Sequence, residues 1–134
     1  MHVRSAIDDF LAGDTFAVVG ASTDRAKYGN KVLRCYLQND LTAIPVHPSA
    51  SEIEGVACVP SLSALAEPVH GVSIITPPPI TERVVEEAAE LGLTRLWMQP
   101  GAESEDALAR AEELGLSVIA RGPCLLVVLG FREV

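Results

Sequence analysis

Cysteine is scarce in this sequence, which contains three cysteines among 134 residues. Cys35, Cys58 and Cys124 are widely spaced, and no two of them form a CxxC motif. Disulfide-stapled domains and structural zinc sites use more cysteines at closer spacing, so the sequence predicts neither of them. Isolated cysteines of this kind are most often small buried side chains.

Long apolar segments are also missing. The longest apolar run covers residues 124–129, far short of the roughly 18 residues that a membrane-spanning helix requires. Asp8 and Asp9 lie where a signal peptide would have its apolar core. We therefore expect a cytoplasmic protein without a membrane partner. The length is that of a single domain over residues 1–134.

Basic residues are few, and the net charge of −8 argues against nucleic acid as a partner. The basic residues that exist are nevertheless clustered. Four of the ten fall in one window of ten positions, namely Arg25, Lys27, Lys31 and Arg34. This window begins just after a glycine turn at Gly20. We expect Arg34 to lie on a solvated helix face. Arg25 and Lys27, which the loop places beside the helix dipole, are expected to lie near a bound anion.

Apolar runs and helical patterns alternate along the chain. Strands without polar alternation are buried on both faces, which is typical of a parallel sheet covered by helices. The sequence therefore predicts an α/β fold, a Rossmann-like doubly wound parallel sheet of five to six strands with helices on both faces. The predicted strands are 15–19, 41–46, 56–59, 72–76, 93–98 and 116–120, and the predicted helices are 5–11, 28–38, 62–66, 80–91 and 103–114. Ser61 is expected to cap the short helix, residues 49–55 to form a loop, and the apolar tail to be either an edge strand or a dimer contact.

The loop after the first strand is the expected anion site. An apolar run ends at Gly20, and a helical pattern begins near Tyr28, so free backbone N–H groups and a helix N-terminus lie together. In doubly wound sheets the ligand binds at the carboxyl edge, where the strand order reverses. The strand ends expected to meet there are 20–22, 46–48 and 76–78, with 99–101 extending the rim.

The type of nucleotide is restricted by motifs that the sequence lacks. A dinucleotide site would read G-x-G-x-x-G after the first strand, but only Gly20 is present. It would also place an acid after the second strand, where this chain has His47-Pro48-Ser49. NAD is thereby disfavoured, NADP is less excluded because basic residues are available, and the absence of GxxxxGK[ST] removes support for ATP hydrolysis. No catalytic triad, Cys–His pair or clustered metal ligands stand out.

The remaining pattern resembles that of the small stand-alone CoA-binding proteins, which are similar to the CoA-binding domain of the succinyl-CoA synthetase α subunit. The resemblance extends from about Asp14 to Cys124 and rests on four segments in combination. They are VVGAS at 18–22, YG at 28–29, IPVHP at 44–48 and WMQPG at 97–101. The resemblance implies a Rossmann-type domain with coenzyme A as its ligand.

The resemblance also implies which residues contact the ligand. The pyrophosphate would meet Gly20, Ala21, Ser22 and Thr23, and its charge would be neutralised by Arg25, Lys27 and Lys31. Val46, His47 and Pro48 would flank the adenosine; Thr76, Pro77 and Pro78 would form an apolar wall; Gln99 and Gly101 would face the pantetheine arm.

The expected function is non-catalytic binding of CoA or an acyl-CoA, since in the resembled synthetases the catalytic parts lie outside the CoA-binding domain. An NADP-type oxidoreductase module is one alternative. The other is an interaction subunit that has lost its ligand. A small-molecule ligand is the expected partner, and a homodimer or a larger complex is left open.

Overall fold

The computed structural model describes residues 3–133. Within them the chain forms four α-helices and seven β-strands. The helices are α1 (Val3–Leu11), α2 (Tyr28–Gln38), α3 (Pro78–Glu90) and α4 (Glu105–Glu113). The strands are β1 (Thr15–Val19), β2 (Thr42–Val46), β3 (Glu52–Ile53), β4 (Val56–Ala57), β5 (Gly71–Ile74), β6 (Arg95–Met98) and β7 (Ser117–Ile119). No described helix is both long enough and apolar enough to cross a bilayer.

Five strands form one parallel sheet in the order β2-β1-β5-β6-β7. The chain moves outward from β1 to β2 and then returns to the other side of β1, so the order reverses between β1 and β5. The register pairs Val19 with both Val46 and Ile74, which brings three strand ends to one edge. The predicted Rossmann-like α/β fold is confirmed, with five strands in its sheet.

Helices cover both faces of this sheet. Successive residues of β1 point to opposite faces, so each face contributes apolar side chains to a core of its own. Phe16 and Val18 belong to the core beneath α1 and α2, whereas Ala17 and Val19 belong to the core beneath α3 and α4. Both cores consist mainly of apolar side chains, which explains why β1 has no polar alternation.

Stacked rings fix α2 against the sheet. The Phe16 ring stacks on Tyr36 of α2 at 4.8 Å between centroids and on Phe10 of α1 at 5.2 Å. The Tyr36 hydroxyl is satisfied by a 2.5 Å hydrogen bond with Ser73 Oγ in β5. Aromatic pairs and satisfied buried hydroxyls favour one orientation, so the N-terminus of α2 is held at a defined place on the sheet edge.

Several local predictions were wrong. Residues 52–57 form an antiparallel hairpin of β3 and β4 instead of a loop followed by one strand. Its two turn residues, Glu54 and Gly55, both have positive φ (52° and 79°), as type I′ hairpins require. The segment Leu62–Ala64 is a 3₁₀ turn whose preceding Ser61 makes no side-chain cap. In the tail, Leu126–Gly130 forms a π-helical turn, so the edge-strand alternative is wrong, and the dimer contact stays a prediction.

Candidate ligand-binding site

Gly20 makes the turn at the point where the strand order reverses. Its φ of +95° is one that residues with a Cβ rarely adopt. A Cβ there would also overlap the backbone carbonyl of Ile75, which follows β5 and whose N–H donates to the Val19 carbonyl at 2.8 Å. Gly20 is therefore required by the backbone, and the loop of residues 20–27 (the Gly20 loop) leaves β1 at the switch point.

Gly29 lies in a second close backbone contact, with the end of β1, which the sequence pattern did not reveal. A Cβ at this position would overlap the carbonyl oxygen of Gly20, so the first turn of α2 packs directly on the end of β1. In dinucleotide-binding folds the last glycine of the fingerprint serves this helix–strand contact. Here the two glycines are nine positions apart, a spacing that the standard motif does not contain.

The N-terminus of α2 is better suited to an anion than that of α3. No side chain caps α2 at Lys27, and the first N–H groups of a helix have no partner within it. By contrast, α3 begins with Pro78 and Pro79, which have no N–H to offer. The two prolines are typical of a helix start but donate no hydrogen bond. Of these two helix N-termini, that of α2 is therefore the better anion site.

A cleft of about 350 Å³ opens beside the Gly20 loop. Six of the predicted site residues line it, namely Gly20, Ala21, Val46, His47, Pro48 and Thr76. Residues that were not predicted complete the wall, namely Val19, Pro60, Ser61, Ile80 and Glu87. The structure therefore brings the ends of β1, β2 and β5 together as the topology requires.

His47 and Thr76 already make hydrogen bonds within the protein. The Nδ1 atom of His47 accepts from the backbone N–H groups of Ser49 and Ala50 at 3.1 and 2.9 Å. A ring nitrogen that accepts is unprotonated, so the ring proton of His47 lies on Nε2. The Thr76 hydroxyl is 2.7 Å from that of Thr81 in α3. Both side chains are consequently fixed before any ligand arrives.

The side chains predicted to bind phosphate differ from one another in exposure and in the contacts they make. The Ser22 hydroxyl accepts from the Asp24 N–H at 3.0 Å and so shapes the loop, while Thr23 and Lys27 are exposed and Lys31 is half-buried. The Arg25 guanidinium forms a 2.5 Å ion pair with Glu54 of the β3–β4 hairpin. Its charge is therefore already opposed by a carboxylate.

Asn30 and Glu54 join the Gly20 loop to the hairpin, and sequence patterns did not single out either one. The fully buried Asn30 Nδ2 donates to the Ser22 carbonyl at 2.9 Å and to Glu54 Oε2 at 3.1 Å. The turn places Glu54 in a left-handed conformation that favours Asn or Gly. The contacts of the Glu54 carboxylate with Arg25 and Asn30 explain why a glutamate occupies this position.

Arg34 does not lie on a solvated face, and that prediction is corrected here. Its side chain is 5% exposed. Its Nε donates to Asn30 Oδ1 at 2.7 Å, and Nη2 donates to the Arg25 carbonyl at 2.8 Å. The C-terminal segment covers it, with the Phe131 ring 5.1 Å from the guanidinium carbon. Because the C-terminal tail packs over Arg34, this side chain is buried, and its hydrogen bonds hold the Gly20 loop.

Of the remaining predicted residues, Pro77 is the N-cap of α3 and Pro78 is its first residue, and Gly101 is exposed with φ of +95°. Gln99 is fully buried at the end of β6. Its Oε1 accepts from the Leu125 N–H at 2.9 Å and from the Tyr28 hydroxyl at 3.2 Å. Its Nε2 has no partner among the residues that the structure describes.

The Tyr28 hydroxyl also lies 2.5 Å from the sulfur of Cys124. Burial first, and then the hydrogen bond and charge of Cys124, raise the pKa of Tyr28 above its ordinary value, so the phenol stays protonated. We call Tyr28, Gln99 and Cys124 the thiol cluster. Within the described part of the chain, no group of three His, Cys, Asp or Glu side chains could hold a metal ion.

Comparison with known proteins finds relatives over most of the chain. A family described as CoA binding domain matches residues 14–130. The uncharacterised protein YneT of Bacillus subtilis is 30% identical over 103 residues, which are 77% of this chain and 76% of YneT. The solved structure of a conserved hypothetical protein from Pyrococcus furiosus superposes with a TM-score of 0.81 at 38% identity. That alignment covers 85% of this chain and 97% of the other.

A larger protein contains a similar segment. An ADP-forming acetate–CoA ligase of Archaeoglobus fulgidus is 34% identical over 71 residues. The match covers 53% of this chain but 10% of the ligase, so the likeness concerns one part of that enzyme.

Proposed function

The chain belongs to the CoA-binding domain family, and from that premise we propose that it binds coenzyme A or an acyl-CoA without turning it over. The phosphates would lie over residues 20–23 and the N-terminus of α2. The adenosine would occupy the cleft between Pro48 and Thr76, and the pantetheine arm would run toward Gln99 and Gly101.

One observation supports this proposal most directly. The Gly20 loop leaves β1 at the switch point and meets an uncapped helix N-terminus there, while α3 offers two prolines instead. Backbone N–H groups aimed from such a loop favour phosphate oxygens over neutral ligands. The adjoining cleft supplies Val46, Pro48 and Ile80 as apolar surface for a base.

The test is a thermal-shift series with CoA, acetyl-CoA, NAD, NADP and ATP. Ligand at a hundredfold excess over Kd stabilises the native state by about 2.7 kcal/mol, so a specific ligand is easily separated from the others. We expect the two CoA compounds to raise the melting temperature most. A larger shift with NADP would favour the oxidoreductase alternative, and no shift with any nucleotide would favour a subunit that has lost its ligand.

Paired variants locate the phosphates. Ser22→Ala combined with Arg25→Ala should weaken CoA binding and leave the secondary structure intact, because both residues lie on the Gly20 loop. Arg110→Ala is the matched control, since Arg110 also forms an exposed ion pair, with Glu86 on α3. Unchanged affinity in the double variant would mean that the phosphate site lies elsewhere.

A further inference from the structure

The thiol cluster contains a buried polar group that the fold does not satisfy. Gln99 is fully buried, and its Nε2 has no hydrogen-bond partner within residues 3–133. An unpaired buried donor costs free energy. Its amide is bonded through Oε1 to the Tyr28 hydroxyl, which in turn touches Cys124 Sγ. The amide therefore offers an unused donor within the hydrogen-bonded group that includes the Cys124 thiol.

The cluster lies at the same sheet edge as the proposed phosphate site. Tyr28 immediately precedes Gly29, which packs on the Gly20 carbonyl. Gln99 follows β6, and its N–H donates to the Ile74 carbonyl at the end of β5. Cys124 follows β7 and is partly exposed. A ligand whose phosphates lie on the Gly20 loop could thus extend an arm to the cluster, and an amide carbonyl in that arm would match the free Nε2 donor.

We propose that Cys124 receives the sulfur end of CoA and exchanges with a CoA disulfide to form a Cys124–CoA mixed disulfide. This inference rests on the proposed function and extends it to a stoichiometric reaction of the bound ligand. The substrate class is a disulfide that contains CoA, with the symmetrical CoA disulfide as the simplest member.

The exchange balances without any further oxidant. The Cys124 thiolate attacks the nearer sulfur of the CoA disulfide, and the new Sγ–S bond forms as the old S–S bond breaks. The second CoA leaves as a thiolate and takes up a proton equivalent to the one that Cys124 lost. One disulfide is consumed and one is formed, and one thiol is consumed and one is released, so the oxidation state of the sulfur atoms is conserved overall.

Tyr28 is the positioning residue for this step. Its hydroxyl remains protonated because burial raises its pKa, so it can turn its hydrogen from Gln99 Oε1 to the developing Cys124 thiolate. A hydrogen bond to a charged acceptor is stronger than one to a neutral acceptor. Tyr28 Oη already contacts Cys124 Sγ in the folded chain, so the donor lies at the thiol before the exchange begins.

The other cysteines are less suited to the role. Cys35 is fully buried, and burial first, followed by the nearby Cys124, raises its pKa to about 11. Burial also raises the pKa of Cys58. Within residues 3–133, the Cys58 side chain makes no hydrogen bond to the thiol cluster. Cys58→Ser is therefore the matched control for Cys124→Ser.

The experiment treats the reduced full chain with CoA disulfide and, separately, with glutathione disulfide, and follows adducts by intact mass. We expect an increase equal to CoA less two hydrogen atoms. Because binding concentrates the reagent at the thiol, formation should be about tenfold or more faster than with glutathione disulfide. Cys58→Ser should react like the parent, and Cys124→Ser should form no adduct.

Two further measurements separate the possible failures. Desulfo-CoA, which has no thiol, should bind and slow adduct formation; if it does not bind, the proposed function fails and this inference with it. If it binds but CoA disulfide forms no adduct, or reacts no faster than glutathione disulfide, the exchange alone is overturned. Tyr28→Phe should bind desulfo-CoA like the parent but react about tenfold more slowly, and an unchanged rate would remove Tyr28 from the proposal.

Discussion

The backbone of Gly29 lies directly against the carbonyl oxygen of Gly20, so that no side-chain carbon fits between α2 and the end of β1. This contact fixes where the helix N-terminus meets the Gly20 loop. When Gly29 is replaced by alanine, helix propensity and overlap with the Gly20 carbonyl have opposite effects on stability, so the sign of the change tests this contact.

Gly29→Ala should destabilise the protein. Helix propensity alone predicts a gain of roughly 1 kcal/mol for alanine within α2. Overlap with a rigid backbone oxygen costs about 1–3 kcal/mol or more, and a Cβ in direct overlap with that oxygen places the cost at the upper end, above the propensity gain. Denaturant unfolding measures the sign, and CoA titration should show weaker binding because the loop must shift.

Gly115→Ala is the control for that variant. Gly115 has φ of +73°, but a Cβ added there would meet no atom within 4 Å, so only backbone strain of about 1 kcal/mol is expected. CoA binding should be unchanged by it. If Gly29→Ala proved as stable as the parent or more so, the close packing of α2 on β1 would be contradicted.

Glu54→Gln should tighten CoA binding. The carboxylate of Glu54 opposes the charge of Arg25 and accepts from Asn30 at the edge of the proposed phosphate site. Removing one negative charge beside a polyphosphate should raise affinity by up to about fivefold, the size of one exposed ion-pair interaction. Calorimetric titration at two salt concentrations measures both the gain and its screening.

Glu52→Gln makes the same charge change on the same hairpin. Glu52 is exposed, and no ion pair of Glu52 is present among the described residues, so its affinity should stay close to that of the parent. Equal gains in both variants would indicate a general charge effect. Weaker binding in Glu54→Gln would mean that Glu54 orders the loop rather than opposing the ligand.

Stability should fall as the pH rises from about 9 to 11. Burial raises the pKa of Cys35 from its ordinary 9.0 to about 11, so the folded state retains a proton that the unfolded chain loses in this interval. The native state is favoured fully below pH 9, and an advantage of up to about 2.7 kcal/mol is lost as the pH rises through the folded pKa.

Cys35→Ala isolates this contribution to the pH dependence. Tyr28 and Tyr36 also have raised pKa values because of burial, so part of the slope should remain in the variant. Unfolding free energies at several pH values between 8 and 11 give the comparison. A slope identical to that of the parent would show that Cys35 titrates normally in the folded protein.

Ser104→Ala should cost about 1 kcal/mol of stability. The Ser104 hydroxyl accepts from the Ala107 N–H at 3.0 Å and caps α4. Ser61→Ala removes the same hydroxyl before the 3₁₀ turn, where no cap is made, and should change stability much less. Equal losses in the two variants would contradict the cap assignment.

Much of the fold was predictable because it depends on local patterns. The apolar spacing of α2 predicted residues 28–38, and the helix spans Tyr28–Gln38. Buried strands without alternation predicted a parallel sheet, and the alternation of elements predicted helices on both faces. The hairpin of β3 and β4 was missed because two-residue strands carry almost no periodic signal and its turn holds Glu54 where Asn is usual.

The candidate site was predictable in its place but not in all its contacts. A sequence determines which strand ends meet at one edge, because parallel topology forces them together; Gly20, Val46 and Thr76 accordingly line one cleft. It does not determine what the Arg25 charge contacts, since Glu54 lies 29 positions further along the chain.

For this protein, the sequence by itself determined the fold class and the loop that leaves the first strand, since both follow from hydrophobic spacing and one glycine. Only the tertiary structure decided that Arg34 is buried beneath Phe131, that Gly29 packs on Gly20, and that Tyr28 meets a cysteine 96 positions away. The reason is physical. Local patterns act through neighbouring residues, whereas these contacts exist only after distant segments have packed.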